Sequence, residues 1–222
     1  MRYVCEALDQ TYGQPRHGNP EDPIDDLVYV LLSNRTPPDR AKRIFQRLKR
    51  RFPSWQDVLR RDPEVVAEVL RPAGFANRRT RQLRETFEQI LNDYDELRSA
   101  DLWEKSDEDL LDYLTDLRGV SDKVARCVML YSLGRAVLPV DVHVHRVAMR
   151  LGWTRRKRPG NCHEELEALL PRHRYYSFHV GCIAHGRARC TASSPECEGC
   201  PIRRYCTRVN GAMSPSVSSS RS

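Results

Sequence analysis

Leu114-Thr115-Asp116-Leu117-Arg118-Gly119-Val120-Ser121-Asp122-Lys123-Val124-Ala125 decides the fold, and it leads through an apolar helix to Pro139-Val140-Asp141-Val142-His143. The pattern predicts two helices reversing through a tight turn, a lysine just past that turn, and a carboxylate opening the next helix. Gly119 stands where the chain must reverse, and only glycine takes positive φ there at no steric cost. Leu114, Leu117, Val120, Ala125 and Val128 are expected to pack the two helices together. The N–H groups from Gly119 to Lys123 then open the second helix, where hydrogen bonds and the helix dipole both favour a phosphate. The plainer alternative is an ordinary packing corner. Lys123 is out of place by the dipole rule, because a cation is mildly unfavourable at a helix N-terminus. The same field favours the neutral amine that a nucleophile requires. Asp141 is expected to cap its helix, a role worth about 1 kcal/mol that does not preclude chemistry. His143 and His145 are two apart and point to different helix faces, so they are not a metal-binding pair.

Outward from this stretch the periodicity is helical and no convincing alternating strand appears. Asp22-Pro23 reads as an N-cap followed by proline at the first helical position, with Ile24, Leu27, Val28 and Leu31 on the buried face. Thr36-Pro37 repeats that signal ahead of a helix carrying Ala41, Ile44, Phe45 and Leu48, whose basic end Lys49-Arg50-Arg51 suits the dipole. Further helices are expected near Ser54–Leu59, Pro63–Leu70, Asn77–Tyr94, Ser106–Thr115, Ser121–Leu133, Val142–Leu151, Cys162–Leu170 and Tyr175–Gly186. The connections are short and rich in proline and glycine, as between antiparallel helices. There is no internal repeat. The Ser-rich tail from Gly211 to Ser222 has almost no apolar mass and is expected to be disordered.

The 222 residues carry a net charge of +7, with basic clusters at Arg40–Arg51, Arg71–Arg84 and Arg155–Arg158. Such a surface suits a phosphate backbone, whose condensed counterions are released on binding, though a solvated face explains it equally. No apolar run is long enough to span a bilayer, and Met1-Arg2-Tyr3-Val4-Cys5-Glu6 lacks a signal-peptide core. A soluble intracellular protein is expected, cytoplasmic in a prokaryote and nuclear in a eukaryote. The acidic run Asp107–Asp116 reads as a solvated helix face.

Of eight cysteines, Cys190, Cys197, Cys200 and Cys206 fall within one short segment. Four thiolates so placed suit tetrahedral zinc or a [4Fe–4S] cluster. Only Cys197 and Cys200 form a close pair, and the long flanking gaps suit ligands that wrap a cube. Arg203 and Arg204 lie inside this loop and put positive charge around such a centre. Cys127 and Cys182 fall on apolar helical faces and are expected in the core, while Cys5 and Cys162 carry no partner signal.

These features together resemble the endonuclease III branch of the helix-hairpin-helix DNA glycosylases, over nearly the whole chain from about Ile24 to Cys206. That family carries a Leu-x-Gly-Val-Gly-x-Lys hairpin, a Val-Asp-x-His turn and a four-cysteine loop of this spacing. Here they are Leu117–Lys123, Val140–His143 and Cys190–Cys206. The resemblance implies a bilobal all-α fold. A six-helix domain would span residues 22–134, and an iron–sulfur domain would join residues 1–21 to 135–210. It implies a [4Fe–4S] cofactor on Cys190, Cys197, Cys200 and Cys206, and a monomer acting on double-stranded DNA that carries a damaged base or an abasic site. The target nucleotide would be flipped out, because its C1′ is unreachable inside a duplex. Lys123 would attack C1′, and Asp141 would stabilise the developing charge and help deprotonate the amine. The Schiff base then allows β-elimination of the 3′-phosphate, which makes the enzyme a combined glycosylase and AP lyase.

Gly119, Val120 and Ser121 would contact DNA at the hairpin. Ser121 replaces the hairpin's second glycine, and either strains the turn or adds a hydroxyl contact to phosphate. In place of the family's Leu-Ser-Ala-Gln, whose Gln fills the gap left by the flipped base, stands Leu32-Ser33-Asn34-Arg35, which points to Arg35. The Gly-Leu-Tyr-Asn wedge loop matches Gly74-Phe75-Ala76-Asn77, and Phe75 is either an aromatic wedge beside the lesion or a buried core ring. Oxidised pyrimidines are the expected substrate. Pro139-Val140-Asp141 with Arg150-Leu151-Gly152-Trp153 also resembles the plant 5-methylcytosine glycosylases, so a modified-cytosine or mismatch-thymine glycosylase is the alternative. The 8-oxoguanine glycosylases share the Pro-Val-Asp-Val-His run but lack the cysteine loop. From other classes, a non-catalytic iron–sulfur DNA-damage-binding protein needs neither Lys123 nor Asp141. A metal-dependent nuclease needs a carboxylate cluster that the sequence does not offer.

Overall fold

A computed structural model describes residues 1–94, 97, 102 and 104–211. The expected disordered tail therefore lies, from residue 212 on, outside the described residues. Every regular element among the described residues is helical, and no helix there is long and apolar enough to cross a membrane. The chain divides into two compact units, His17–Pro139 and Met1–Arg16 with the chain from Val140 onward.

The His17–Pro139 unit begins with α2 (Pro23–Ser33), since α1 (Arg2–Tyr12) belongs to the other unit. Asp22 Oδ1 accepts from the Ile24 and Asp25 amides at 2.9 Å each, and Pro23 presets the first turn. The buried side of α2 presents Ile24, Leu27, Val28, Leu31 and Leu32. Burial of each such side chain contributes about 1.5–3 kcal/mol before ordering costs are subtracted. α3 (Pro38–Arg51) starts one residue later than the Thr36-Pro37 signal suggests. The N-cap position falls on Pro37, which has no side-chain acceptor, and the Thr36 hydroxyl instead accepts from Arg79 Nη2 at 3.1 Å. Ala41, Ile44 and Leu48 are buried as expected, whereas Phe45 is half-buried and meets Tyr29 edge-on.

The short α4 (Gln56–Arg60) and α5 (Pro63–Leu70) lead to the long α6 (Ala76–Tyr94). Trp55 and Phe87, 5.6 Å apart between ring centroids, fill the space beneath them. α7 (Asp107–Asp116) is capped by Ser106, whose hydroxyl accepts from the Asp109 amide at 3.1 Å. Its Glu108, Asp109, Asp112 and Asp116 are exposed, as a solvated acidic face requires. α8 (Asp122–Tyr131) packs on both α7 and α2.

In the second unit α1 lies against α11 (Tyr175–Ala188), and Gly181 permits the approach: a Cβ there would meet the Leu8 side chain at 3.3 Å. An Arg174–Asp9 ion pair of 2.7 Å ties α1 to the turn before α11. Helical periodicity places no element over α1, although the family resemblance implies an N-terminal helix, and none over the four-residue α12 (Thr207–Asn210). α9 (Val142–Arg150) and α10 (His163–Leu169) complete this unit, with Trp153 stacked on Phe178 at 5.4 Å. Cys5, Cys127, Cys162 and Cys182 are all buried.

Candidate functional site

Within the His17–Pro139 unit, Leu114, Leu117, Val120, Ala125 and Val128 are all buried between α7 and α8. Gly119 takes φ +81, and a Cβ there would strike the Gln82 side chain at 2.6 Å. The handedness therefore favours glycine, and a side chain there would also displace Gln82 from the turn. α6 holds the turn from outside. Gln82 Nε2 donates to Gly119 O at 2.5 Å, Thr86 Oγ1 donates to Arg118 O at 2.8 Å, and the Arg118 amide donates to Gln89 Oε1 at 3.0 Å. Ser121 occupies the N-cap position of α8 with φ −93, ordinary extended backbone, so the expectation of a strained turn is overturned. Its exposed hydroxyl makes no capping bond. Lys123 sits half-buried in the first turn of α8.

Close to Lys123 is a residue the sequence analysis passed over. Asp26 of α2 is fully buried, accepts from Asn19 Nδ2 at 2.7 Å, and leaves its buried Oδ2 without a hydrogen-bond partner. Burial pushes its carboxyl up to about 7, against the opposing pull of Asn19, Ser132 and the Lys123 charge. No local pattern marks it, because its neighbour Asp25, which bonds Trp55 Nε1 at 2.7 Å and Lys49 Nζ at 2.9 Å, looks identical in sequence.

The same unit carries Arg35 and Phe75 on two loops. Both are exposed, Phe75 to 68%, which excludes the buried-ring alternative. They are the non-glycine residues with positive φ among those described, at +59 and +53.

In the other unit Asp141 caps α9, its Oδ1 accepting from the His143 amide at 2.9 Å and the Val144 amide at 2.8 Å. Both bonds fall on one oxygen and leave Oδ2 outside the cap. The two histidines hold separate contacts: His143 Nδ1 lies 3.0 Å from Arg146 Nη2, and His145 Nε2 lies 2.7 Å from Arg156 O. Gly186 brings α11 against this end of α9, where a Cβ would meet His143 Nδ1 at 2.5 Å.

Cys190, Cys197, Cys200 and Cys206 line a single cavity, with Val147, Leu151, Ile202 and Val209 as its apolar wall. No three His, Cys, Asp or Glu side chains among the described residues converge to hold one metal ion. Four thiols lining one cavity are the ligand set that a [4Fe–4S] cluster takes. Burial pushes the Cys200 thiol up, which disfavours its thiolate unless positive charge lies nearby. Basic groups already approach: Arg150 Nη1 donates to Cys190 Sγ at 2.9 Å and Arg146 Nε to Cys190 O at 2.7 Å. His185 Nε2 lies 3.7 Å from Cys200 Sγ, while its Nδ1 is 2.9 Å from Tyr12 Oη. Burial first, then Arg189, Arg146 and Arg150, depress His185 to about 4, which keeps the imidazole neutral. The spacing of Arg146 and Arg150, one helical turn apart on α9, was the available signal for their shared role.

Residues 28–172 match the family described as HhH-GPD superfamily base excision DNA repair protein. Residues 190–206 match the iron–sulfur binding domain of endonuclease III, and the cofactor is a [4Fe–4S] cluster. Endonuclease III of Thermotoga maritima is 26% identical over 192 residues, covering 86% of each chain. The solved structure of a non-covalent endonuclease III–DNA complex superposes with TM-score 0.80 at 23% identity, over 94% of both chains. That of a thermostable thymine-DNA glycosylase gives 0.78 at 22%, over 95% of both. Both solved structures share the helical fold.

Proposed function

Because the chain belongs to the HhH-GPD superfamily of base excision DNA repair proteins, we propose that it is a bifunctional DNA glycosylase and AP lyase acting as a monomer on oxidised pyrimidines. The observation that carries this is Lys123 in the first turn of α8, directly past a hairpin whose Ser121 leaves the helix cap unmade. A phosphate held by the hairpin amides would bring a flipped-out sugar toward this amine.

The chemistry follows from the residue types. Lys123 Nζ, as free amine, bonds to C1′ while the bond from C1′ to the base breaks, the electron pair leaving with the base, which takes up a proton. Opening of the sugar ring gives an iminium at C1′. It acidifies C2′; loss of a C2′ proton and breakage of the C3′–O bond release the 3′-phosphate. Water in place of the amine ends the reaction at base removal, so the lysine predicts strand cleavage. Asp141, with Oδ2 outside the cap, is suited to stabilise positive charge on the sugar and to accept the amine's proton. Gly119, Val120 and Ser121 would hold phosphate, and Arg35 and Phe75 would enter the helix. Cys190, Cys197, Cys200 and Cys206 would hold the cluster, which when bound fixes the loop carrying Arg203 and Arg204.

The test is borohydride trapping on duplexes carrying thymine glycol, an abasic site, a G·T mismatch or 5-methylcytosine. A covalent adduct on the first two, absent in Lys123→Ala, is expected. Adducts from the mismatch or 5-methylcytosine duplex alone would reassign the substrate. Tight binding to the lesions with no adduct on any duplex would make the protein a damage binder.

A further inference from the structure

Positive φ is costly for any residue with a Cβ, on the order of 1–2 kcal/mol, and for a bulky side chain it requires outside support. Arg35 and Phe75 share this conformation on loops that are 40 residues apart in the chain. One side chain ties the two loops together. Arg79, in the first turn of α6, donates Nη1 to Leu31 O at 2.8 Å and to Leu32 O at 3.4 Å. Its Nη2 donates to Asn34 O at 2.8 Å and to Thr36 Oγ1 at 3.1 Å. Its Nε donates to Gly74 O at 3.0 Å. The partners flank Arg35 on both sides and immediately precede Phe75.

Each bond has a physical reason. Leu31 and Leu32 lie in the last turn of α2, where carbonyls lack helical partners and the dipole favours a cation. Asn34 and Thr36 bracket Arg35 and hold its peptide units in place. Gly74, at φ +73, sets the direction in which the chain enters Phe75. The planar guanidinium presents its donors in a rigid fork, which an ammonium cannot reproduce. Arg79 is half-buried under the loops, whereas Arg78 beside it is exposed.

We propose that Arg79 is a positioning residue that locks the Arg35 and Phe75 loops into one preset unit, so that both side chains enter a DNA helix together at a damaged site. The ordering of two strained loops is then completed during folding and is not charged against binding. This rests on the proposal that Arg35 and Phe75 enter DNA.

The experiment uses the full chain with a non-cleavable tetrahydrofuran abasic-site duplex carrying 2-aminopurine beside the lesion. Binding is measured together with 2-aminopurine fluorescence at saturating protein, where the signal reports unstacking within the complex and not the amount of folded protein. Arg79→Lys and Arg79→Gln both fill the space, so that failure of one to fold leaves the other, and Arg81→Lys is the control. Each Arg79 variant is expected to weaken binding by about tenfold and to lower the fluorescence increase, with Lys the milder of the two. In a background lacking both inserting side chains, Arg35→Ala with Phe75→Ala, the same Arg79 changes are expected to cost nothing further. A full additive loss in that background overturns the positioning role while leaving the DNA-entry reading intact. If Arg35→Ala and Phe75→Ala themselves change neither binding nor fluorescence, the reading beneath it fails first.

Discussion

At the scale of single residues, the feature with the largest measurable consequence is Asp26. It is fully buried, and its carboxyl is raised to about 7. A group whose folded pKa lies above its unfolded value binds its proton more tightly in the folded state. Stability is therefore undiminished below the ordinary carboxylate range and is lost as pH rises from about 4 through about 7. Above that, the charged carboxylate is carried inside the protein at full cost. Asp26→Asn keeps an oxygen for Asn19 Nδ2 and removes the charge. Urea unfolding at about pH 8 should show it more stable than the parent by about 1–4 kcal/mol, with the gain shrinking toward pH 5. A gain that is equal at both pH values would show that Asp26 does not titrate in this range. A buried carboxylate within electrostatic reach of Lys123, with a raised pKa, is a costly arrangement of the kind that gathers near functional sites.

At the scale of elements, the hairpin and the start of α9 solve the same problem in opposite ways. The α8 N-terminus leaves its amides without a side-chain cap from Ser121, while the α9 N-terminus is closed by Asp141 with two short bonds. The first is suited to an external anion and the second supplies its own. The double duty of Asp141 is separable. Asp141→Ala removes the cap and should lower stability by about 1 kcal/mol, whereas Asp141→Asn keeps the amide oxygen that caps α9 and should leave stability within a few tenths. Both should reduce adduct formation at saturating abasic DNA by on the order of a hundredfold. Thermal melting and single-turnover trapping read the two effects independently. Wild-type turnover in Asp141→Asn would leave the carboxylate with the capping role alone.

At the scale of the whole molecule, each unit has an apolar helical core, with Phe178 and Leu8 fully buried in the second, but the loop at residues 190–206 is stabilised by different means. The His17–Pro139 unit has a continuous apolar core around α2, from Ile24 to Leu32. The loop at residues 190–206 has instead little regular structure and few buried side chains, Ile202 being the exception. Such a segment depends on its metal centre to stay ordered. Cys197→Ser should therefore remove the visible charge-transfer absorption. It should also raise amide exchange across residues 190–206, at a cost on the order of a few kcal/mol in that segment. Full absorption with unchanged exchange would remove Cys197 from the ligand set.

The sequence alone determined the parts that repeat a local rule. Helical spacing marked most of the helices, Asp22-Pro23 marked the start of α2, and cysteine spacing together with family resemblance marked the iron–sulfur loop. Gly119 was legible because a reversal between two apolar faces requires it. Only the tertiary structure decided the rest. Phe75 was equally plausible as core or surface, since an aromatic ring beside a glycine carries no sign of which way the chain turns. Thr36 looked like a cap, yet the helix starts one residue later and the Thr36 hydroxyl meets Arg79 from the distant α6. Asp26 and Asp25 are adjacent carboxylates in sequence, yet one is buried beside Lys123 and the other bonds Trp55 and Lys49. Caps and turns are governed by neighbours a few residues away. Burial, charge and loop support are governed by groups brought together from distant parts of the chain, and no local pattern encodes those.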